Sequence, residues 1–244
     1  MKILLAPSET KQAGGKDSFD INKLSFDKLS LTRKELLSAY QHIIDTKNML
    51  LIKKMFGFKK DTDIQNYLVD ILSQPTLKAI QRYTGVAYDY INYQSLDKNA
   101  QTYIDKNVLI FSNLFGILKA DDFIPTYRLK QGEPINTIYT DKAYKESLKP
   151  ILDEYLQDKD ILDLRANYYQ KFYKISHPYT TLKFLKNGKV VSHWAKAYRG
   201  IVLKTIAQNN TQTIQDFLKL QIENLSIKEI IERKAYTEVI YEIS

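Results

Sequence analysis

Three short, continuous apolar runs constrain this chain most. Residues 1–6, 108–111 and 161–164 carry almost no polar side chain on either face, so each reads as an interior strand. The intervals between them read mainly as helix. Thr32 and Glu35 fit a capping box ahead of Leu36, Tyr40, Ile43 and Ile44, which share one face. A second helix is expected from about Asp63, with Ile64, Tyr67, Leu68, Ile71 and Leu72 inward, and a third opening on Pro75 with Leu77 and Ile80. Ser95 is placed to cap a helix that runs to about Lys106, and another is expected near Asp141 with Tyr144 and Leu148 on one face. Pro150 should kink or divide that helix. Residues 113–128 read as loop or short helix. Residues 180–185 and 190–193 form an expected hairpin around Asn187-Gly188, followed by a helix from Ala195 and a last strand over 237–243. No repeat, linker or composition break divides the chain. The expected fold is mixed α/β (α+β): one compact domain over residues 1–244, with short central strands and helical insertions.

Composition removes several kinds of chemistry. The 244 residues include no cysteine and three histidines, which excludes disulfides, thiolate metal sites and cysteine nucleophiles and argues against a histidine-rich metal centre. No cofactor or metal is expected. No apolar run approaches the roughly 20 residues of a membrane span. The expectation is a cytoplasmic protein without a membrane partner, monomeric by default. Gly15-Lys16 is not a phosphate loop, because Thr10 and Asp17 occupy the places of the required glycine and hydroxyl residue.

The net charge of +8 points to an anionic partner, but its distribution says more than its size. No acidic residue lies between Asp163 and Asp216, while Arg165, Lys171, Lys174, Lys183, Lys186, Lys189, Lys196, Arg199 and Lys204 all do. Basic groups neutralise phosphates, and the interleaved aromatics can pack in the core or stack on bases. Lys196, Arg199 and Gly200 share one helix face, and Gly200 leaves room either for a phosphate backbone or for a neighbouring helix. Arg128, Arg165 and Arg199 are half of the six arginines. Their planar forks can grip phosphate in a bidentate way, or pair with Asp121, Asp122 or Asp163. Asp121-Asp122 reads as a structural pair before an acid/base one.

Five segments together carry a family resemblance. They are Ala6-Pro7-Ser8-Glu9-Thr10-Lys11 with Gly14-Gly15; Tyr83-Thr84-Gly85-Val86-Ala87-Tyr88; a long run from Phe111 through Gly116, Lys119 and Asp121-Asp122 to Tyr127-Arg128-Leu129; Asp163-Leu164-Arg165-Ala166-Asn167-Tyr168-Tyr169; and Ser192-His193-Trp194-Ala195-Lys196-Ala197-Tyr198-Arg199-Gly200. In this order the chain resembles the YaaA family of peroxide stress proteins. Asn113 stands where that family has a glycine, Phe115 where it has tyrosine, and Lys119-Ala120 where it has Arg-Pro. The resemblance implies a compact α/β fold with a positively charged cleft, a role in peroxide stress and low free iron, and DNA binding through a helix-hairpin-helix-like element. It implies no established reaction. The one local match to such an element, residues 114–118, has one glycine where two are usual.

The expected anion or nucleic-acid site comprises Lys11, Lys119, Arg128, Arg165, His193, Lys196 and Arg199. Gly116 and Gly200 allow close backbone approach, and Ser8, Glu9 and Asp122 serve as acid/base or structural groups. The favoured function is a peroxide stress protein that binds DNA mainly through phosphates, with little sequence preference, and limits iron-dependent damage. The alternative is an enzyme acting on a nucleotide or another phosphorylated small molecule. No catalytic residue is assigned.

Overall fold

The computed structural model describes the backbone of all 244 residues and every side chain except those of Ser192 and His193. In chain order the elements are β1 (Lys2–Leu5), β2 (Lys16–Ser18), α1 (Ser30–Asp45), α2 (Met49–Phe56), β3 (Pro75–Lys78), α3 (Ala79–Arg82), α4 (Val86–Ile91), α5 (Lys98–Asn107), β4 (Val108–Ser112) and β5 (Gly116–Lys119). They continue with β6 (Phe123–Pro125), α6 (Thr140–Leu156), β7 (Ile161–Leu164), β8 (Tyr179–Lys186), β9 (Lys189–Val190), α7 (Ser192–Gln208), α8 (Ile214–Phe217), β10 (Leu225–Glu232) and β11 (Tyr236–Ile243). The architecture is the expected mixed α/β domain.

The main sheet runs β10-β11-β8-β7-β1-β4-β5, with β9 paired to β8. Strands β4, β1, β7, β8 and β11 are parallel to their neighbours in turn. β5, β9 and β10 are antiparallel to theirs. Every residue of β4 and β7 is buried, so both faces of the sheet's centre are covered, and the continuous apolar runs follow from that. The chain leaves β1 for β4 on one side and later returns to β7 on the other. The carboxyl end of β1 therefore lies at a topological switch point, where open α/β sheets leave a crevice. A second small sheet, β2-β3-β6, packs against α3.

Several elements depart from expectation for identifiable reasons. α1 starts at Ser30, so Thr32 lies inside the helix and does not cap it. Residues 61–73 form three short 3-10 turns in place of a helix. Asp70 accepts the Leu72 N–H (3.0 Å), satisfying the backbone locally, and Leu72 is exposed. Pro75 opens strand β3; its carbonyl accepts from Arg82 Nη2 at 2.7 Å. α2 has clear ends, Asn48 accepting the Leu50 and Leu51 N–H groups and Gly57 adopting φ +73°. Pro150 sits on the exposed side of α6 without dividing it. Residues 113–115 join β4 to β5 in a β-hairpin and residues 116–118 lie in β5, so the 114–118 segment does not form a helix-hairpin-helix element.

Candidate functional site

The β1 end opens into the loop over residues 6–15, which is fastened from outside. Its backbone forms a bridge between Lys11 and Tyr83, and Thr84 N–H donates to the Thr10 carbonyl at 3.1 Å. Gly85 follows with φ +102°, and a Cβ there would stand 3.2 Å from both the Ser8 and Thr10 hydroxyl oxygens. Only glycine brings α4 this close to the loop. On the other side Glu9 accepts from Arg128 Nη2 (2.7 Å) and from the Gln131 N–H (2.9 Å). Tyr88 donates its hydroxyl proton to the Ala6 carbonyl (2.9 Å).

These ties enclose a cavity of about 370 Å³ beyond the carboxyl ends of β1 and β7. Its walls draw on all five motif segments: residues 5–10, 84–88, Arg128 with Gln131, then Leu164, Ala166 and Tyr169, and finally Lys196 and Arg199 of α7. Tyr88 and Tyr169 are buried, whereas Lys196 is exposed and Arg199 half-buried. Thr10 and Gln131 are exposed wall residues as well.

The cations differ in what holds them. Arg128 donates Nε to the Phe56 carbonyl (2.9 Å), Nη1 to the Glu9 carbonyl (2.9 Å) and Nη2 to the Glu9 carboxylate, over the Phe58 ring at 4.6 Å. It lines the cavity with its charge matched by Glu9. Arg165 makes a fully enclosed pair with Asp163, Nε to Oδ1 at 2.8 Å and Nη2 to Oδ2 at 2.9 Å, and donates Nη1 to the Tyr173 carbonyl. It does not line the cavity, so the structure removes it from the expected anion site. Arg199 makes no hydrogen bond or ion pair among the described residues. Burial lowers its pKa from the ordinary value, and the Asp163 carboxylate partly offsets this. It is a desolvated guanidinium directed at the cavity. Lys196 likewise has no acidic partner among the described residues.

Other expected residues are placed elsewhere. Lys11 turns onto its own loop, donating to the Ser8 (3.1 Å) and Glu9 (3.3 Å) carbonyls, with its ammonium 3.9 Å from the Tyr127 ring centre. Burial, reinforced by the Arg128 charge, holds its pKa well below 10.5. Lys119 lies on edge strand β5 opposite Leu109, where its charge acts on Lys2 and not on the cavity. Asp122 caps a turn, accepting from Ser25 N–H (2.9 Å), Ser25 Oγ (2.8 Å) and Lys119 N–H (2.8 Å); burial raises its pKa. It is structural. Gly116 is buried against the Tyr144 ring, and Gly200 against the Ala87 carbonyl at the α4–α7 crossing. Neither lines the cavity. Ser8 and Glu9 do line the cavity, with Ser8 Oγ 3.1 Å from Thr10 Oγ1. The His193 side chain lies outside the described residues. Among the described residues no group of three His, Asp or Glu is placed to hold a metal. Among the described residues no helix is long and apolar enough to cross a membrane.

Sequence reasoning missed Thr10, Thr84, Gln131 and Tyr169 as wall residues. The first two and Tyr169 stand inside the quoted segments, so proximity to motif cations was the available signal; Gln131 carried none.

The fold and this crevice define a mixed α/β protein with a switch-point pocket. The family described as "Peroxide stress protein YaaA" matches residues 1–230, and the chain belongs to it. An uncharacterized protein of Campylobacter jejuni is 43% identical over 244 residues, covering 100% of this chain and 99% of its own length. A UPF0246 protein of Corynebacterium glutamicum is 29% identical over 240 residues, covering 94% and 95%. Another from Clostridioides difficile is 29% identical over 196 residues, covering 77% and 78%.

Proposed function

We propose that this chain is a cytoplasmic peroxide stress protein that binds DNA through its phosphates at the Lys196–Arg199 rim, and so helps limit iron-dependent oxidative damage. One observation carries the reading: of the arginines in the recognised segments, Arg128 and Arg165 are matched to carboxylates, while Arg199 is desolvated and unmatched beside Lys196. Keeping a cation half-buried without a partner costs stability, which an arriving anion offsets. The contact is to phosphate, so little sequence preference is expected.

The test is duplex affinity at several salt concentrations. With two cations engaged, the log–log slope should be shallow, about −2, from roughly −0.9 per phosphate neutralised. Replacing both Lys196 and Arg199 with alanine should weaken binding at low salt and flatten that slope. Unchanged affinity and slope in the double variant would overturn the reading. A second reading, recognition of a phosphorylated small molecule, is favoured by the cavity itself, since about 370 Å³ falls within the range of small-ligand pockets.

A further inference from the structure

The charges that line the cavity specify which kind of phosphate suits it. Glu9, Arg128, Lys196 and Arg199 are its charged residues, and Tyr88 and Tyr169 stay neutral, since burial raises the pKa of both. Arg128 is matched by the Glu9 carboxylate at 2.7 Å, which leaves Lys196 and Arg199 and a balance of two positive charges. Asp163 acts on Arg199 from outside the lining, but its carboxylate is closed onto Arg165. A phosphate inside a nucleic-acid strand is a diester with one negative charge, whereas a phosphomonoester carries about two at pH 7. The dianion balances the pair; a diester leaves one cation uncompensated in a partly desolvated place.

Burial adds a steric argument. Lys196 is exposed, while Arg199, three residues further along the same face of α7, is half-buried. An anion that meets both must pass below the surface. A diester within a duplex has a sugar on each side, so it reaches the exposed lysine and is held back from the guanidinium. A terminal phosphate is linked on one side only and enters first. The cavity of about 370 Å³ is of small-ligand size, which suits such an end group and not a stretch of duplex. The monoester also presents three unesterified oxygens to the planar guanidinium fork.

We infer that the cavity takes a terminal phosphomonoester dianion at Lys196 and Arg199, with Arg199 separating it from a phosphate in mid-strand. This rests on the reading that those two cations bind phosphate. The monoester comes either from a phosphorylated strand end or from a free phosphorylated small molecule.

Binding by anisotropy, at one pH and one salt concentration, compares hairpin duplexes of a single sequence. Their one free end carries a hydroxyl, a phosphate or a methyl-esterified phosphate, on the 5′ and then on the 3′ terminus. At one terminus the phosphate form should bind about tenfold more tightly than the hydroxyl form. The methyl ester, one charge poorer, should lose most of that gain. Arg199→Met keeps an apolar stem and removes the fork, and it should bring phosphate and hydroxyl ends to equal affinity. The comparisons with wild-type protein decide the matter even where that variant does not fold. In parallel, thermal melts compare ribose 5-phosphate with its methyl phosphodiester at equal ionic strength. A rise with the monoester alone supports the inference with a small molecule as the source. Equal affinity for all three ends, with no preference for ribose 5-phosphate over its diester, overturns the inference; so does a methyl ester that binds as tightly as the monoester. If Lys196→Ala with Arg199→Ala still weakens duplex binding in that case, the phosphate reading stands without it; if that variant changes nothing, the phosphate reading fails as well.

Discussion

Arg33, Arg82 and Arg128 each aim several N–H groups at backbone carbonyls of distant segments. Arg33 holds Ser25, Phe115 and Ile117 together, and Arg82 joins Gly14, Pro75 and Ile124. A lysine ammonium, a single point donor, does not reach carbonyls in divergent directions. In this lysine-rich chain arginine therefore marks places where irregular backbone would otherwise be unsatisfied. Sequence reasoning read the same scarcity as a sign of phosphate recognition; of Arg128, Arg165 and Arg199, only Arg199 has no carboxylate partner among the described residues. Nothing in the spacing of Asp163 and Arg165 distinguishes a closed pair from an open one; burial decides, and burial is tertiary. Lys11 gives a direct test of that enclosure. Its native pKa lies well below 10.5, so between those two values the unfolded chain binds a proton that the native chain does not, and stability rises with pH. The buried tyrosines have raised pKa values and act in the opposite sense only above their ordinary 10.0. Urea unfolding at about pH 7 and 9 should show the rise in wild type and a smaller one in Lys11→Met. Identical slopes would mean that the Lys11 ammonium is not shielded.

At the scale of elements, the crossing of α4 and α7 sets the mouth of the cavity. A Cβ on Gly200 would lie 2.2 Å from the Ala87 carbonyl oxygen and 2.9 Å from Tyr90 Cβ, and both belong to α4. Gly200→Ala should force the helices apart, lower stability by about 1–3 kcal/mol, and shift Val86 and Ala87 in the cavity wall. A lower urea midpoint together with weaker oligonucleotide binding checks this; a midpoint equal to wild type would show that the crossing tolerates a methyl group. The interior strands were legible because burial on both faces writes a continuous apolar run, as in β1, β4 and β7. The Asn187-Gly188 hairpin was legible because both residues must adopt positive φ, here +51° and +73°. β5, β6 and β10 were not. β5 and β6 are three or four residues long inside a motif rich in turns, and β10 is exposed along most of its length, so no alternation marks it.

For the whole molecule, the main sheet ends in the buried strand β5 on one side and in the exposed strand β10 on the other. Its register shifts between Ile227 and Glu229, and Lys228 at the shift pairs with Glu242 at 3.0 Å. An irregularity with charge at an edge opposes pairing with another chain. The protein should sediment as a monomer of 28.5 kDa at about 50 μM, well above the concentrations at which weak pairing would be missed. A dimer mass would show that β10 is not guarded in this way. The wall of the cavity draws on positions from Leu5 to Arg199, with the strand partners of β8 arriving later still. Synthesis on the ribosome proceeds from the amino end, so the pocket cannot close until most of the polypeptide has emerged. A nascent or truncated product therefore carries the early wall segments without the late ones, and the cavity is complete only once translation is nearly finished.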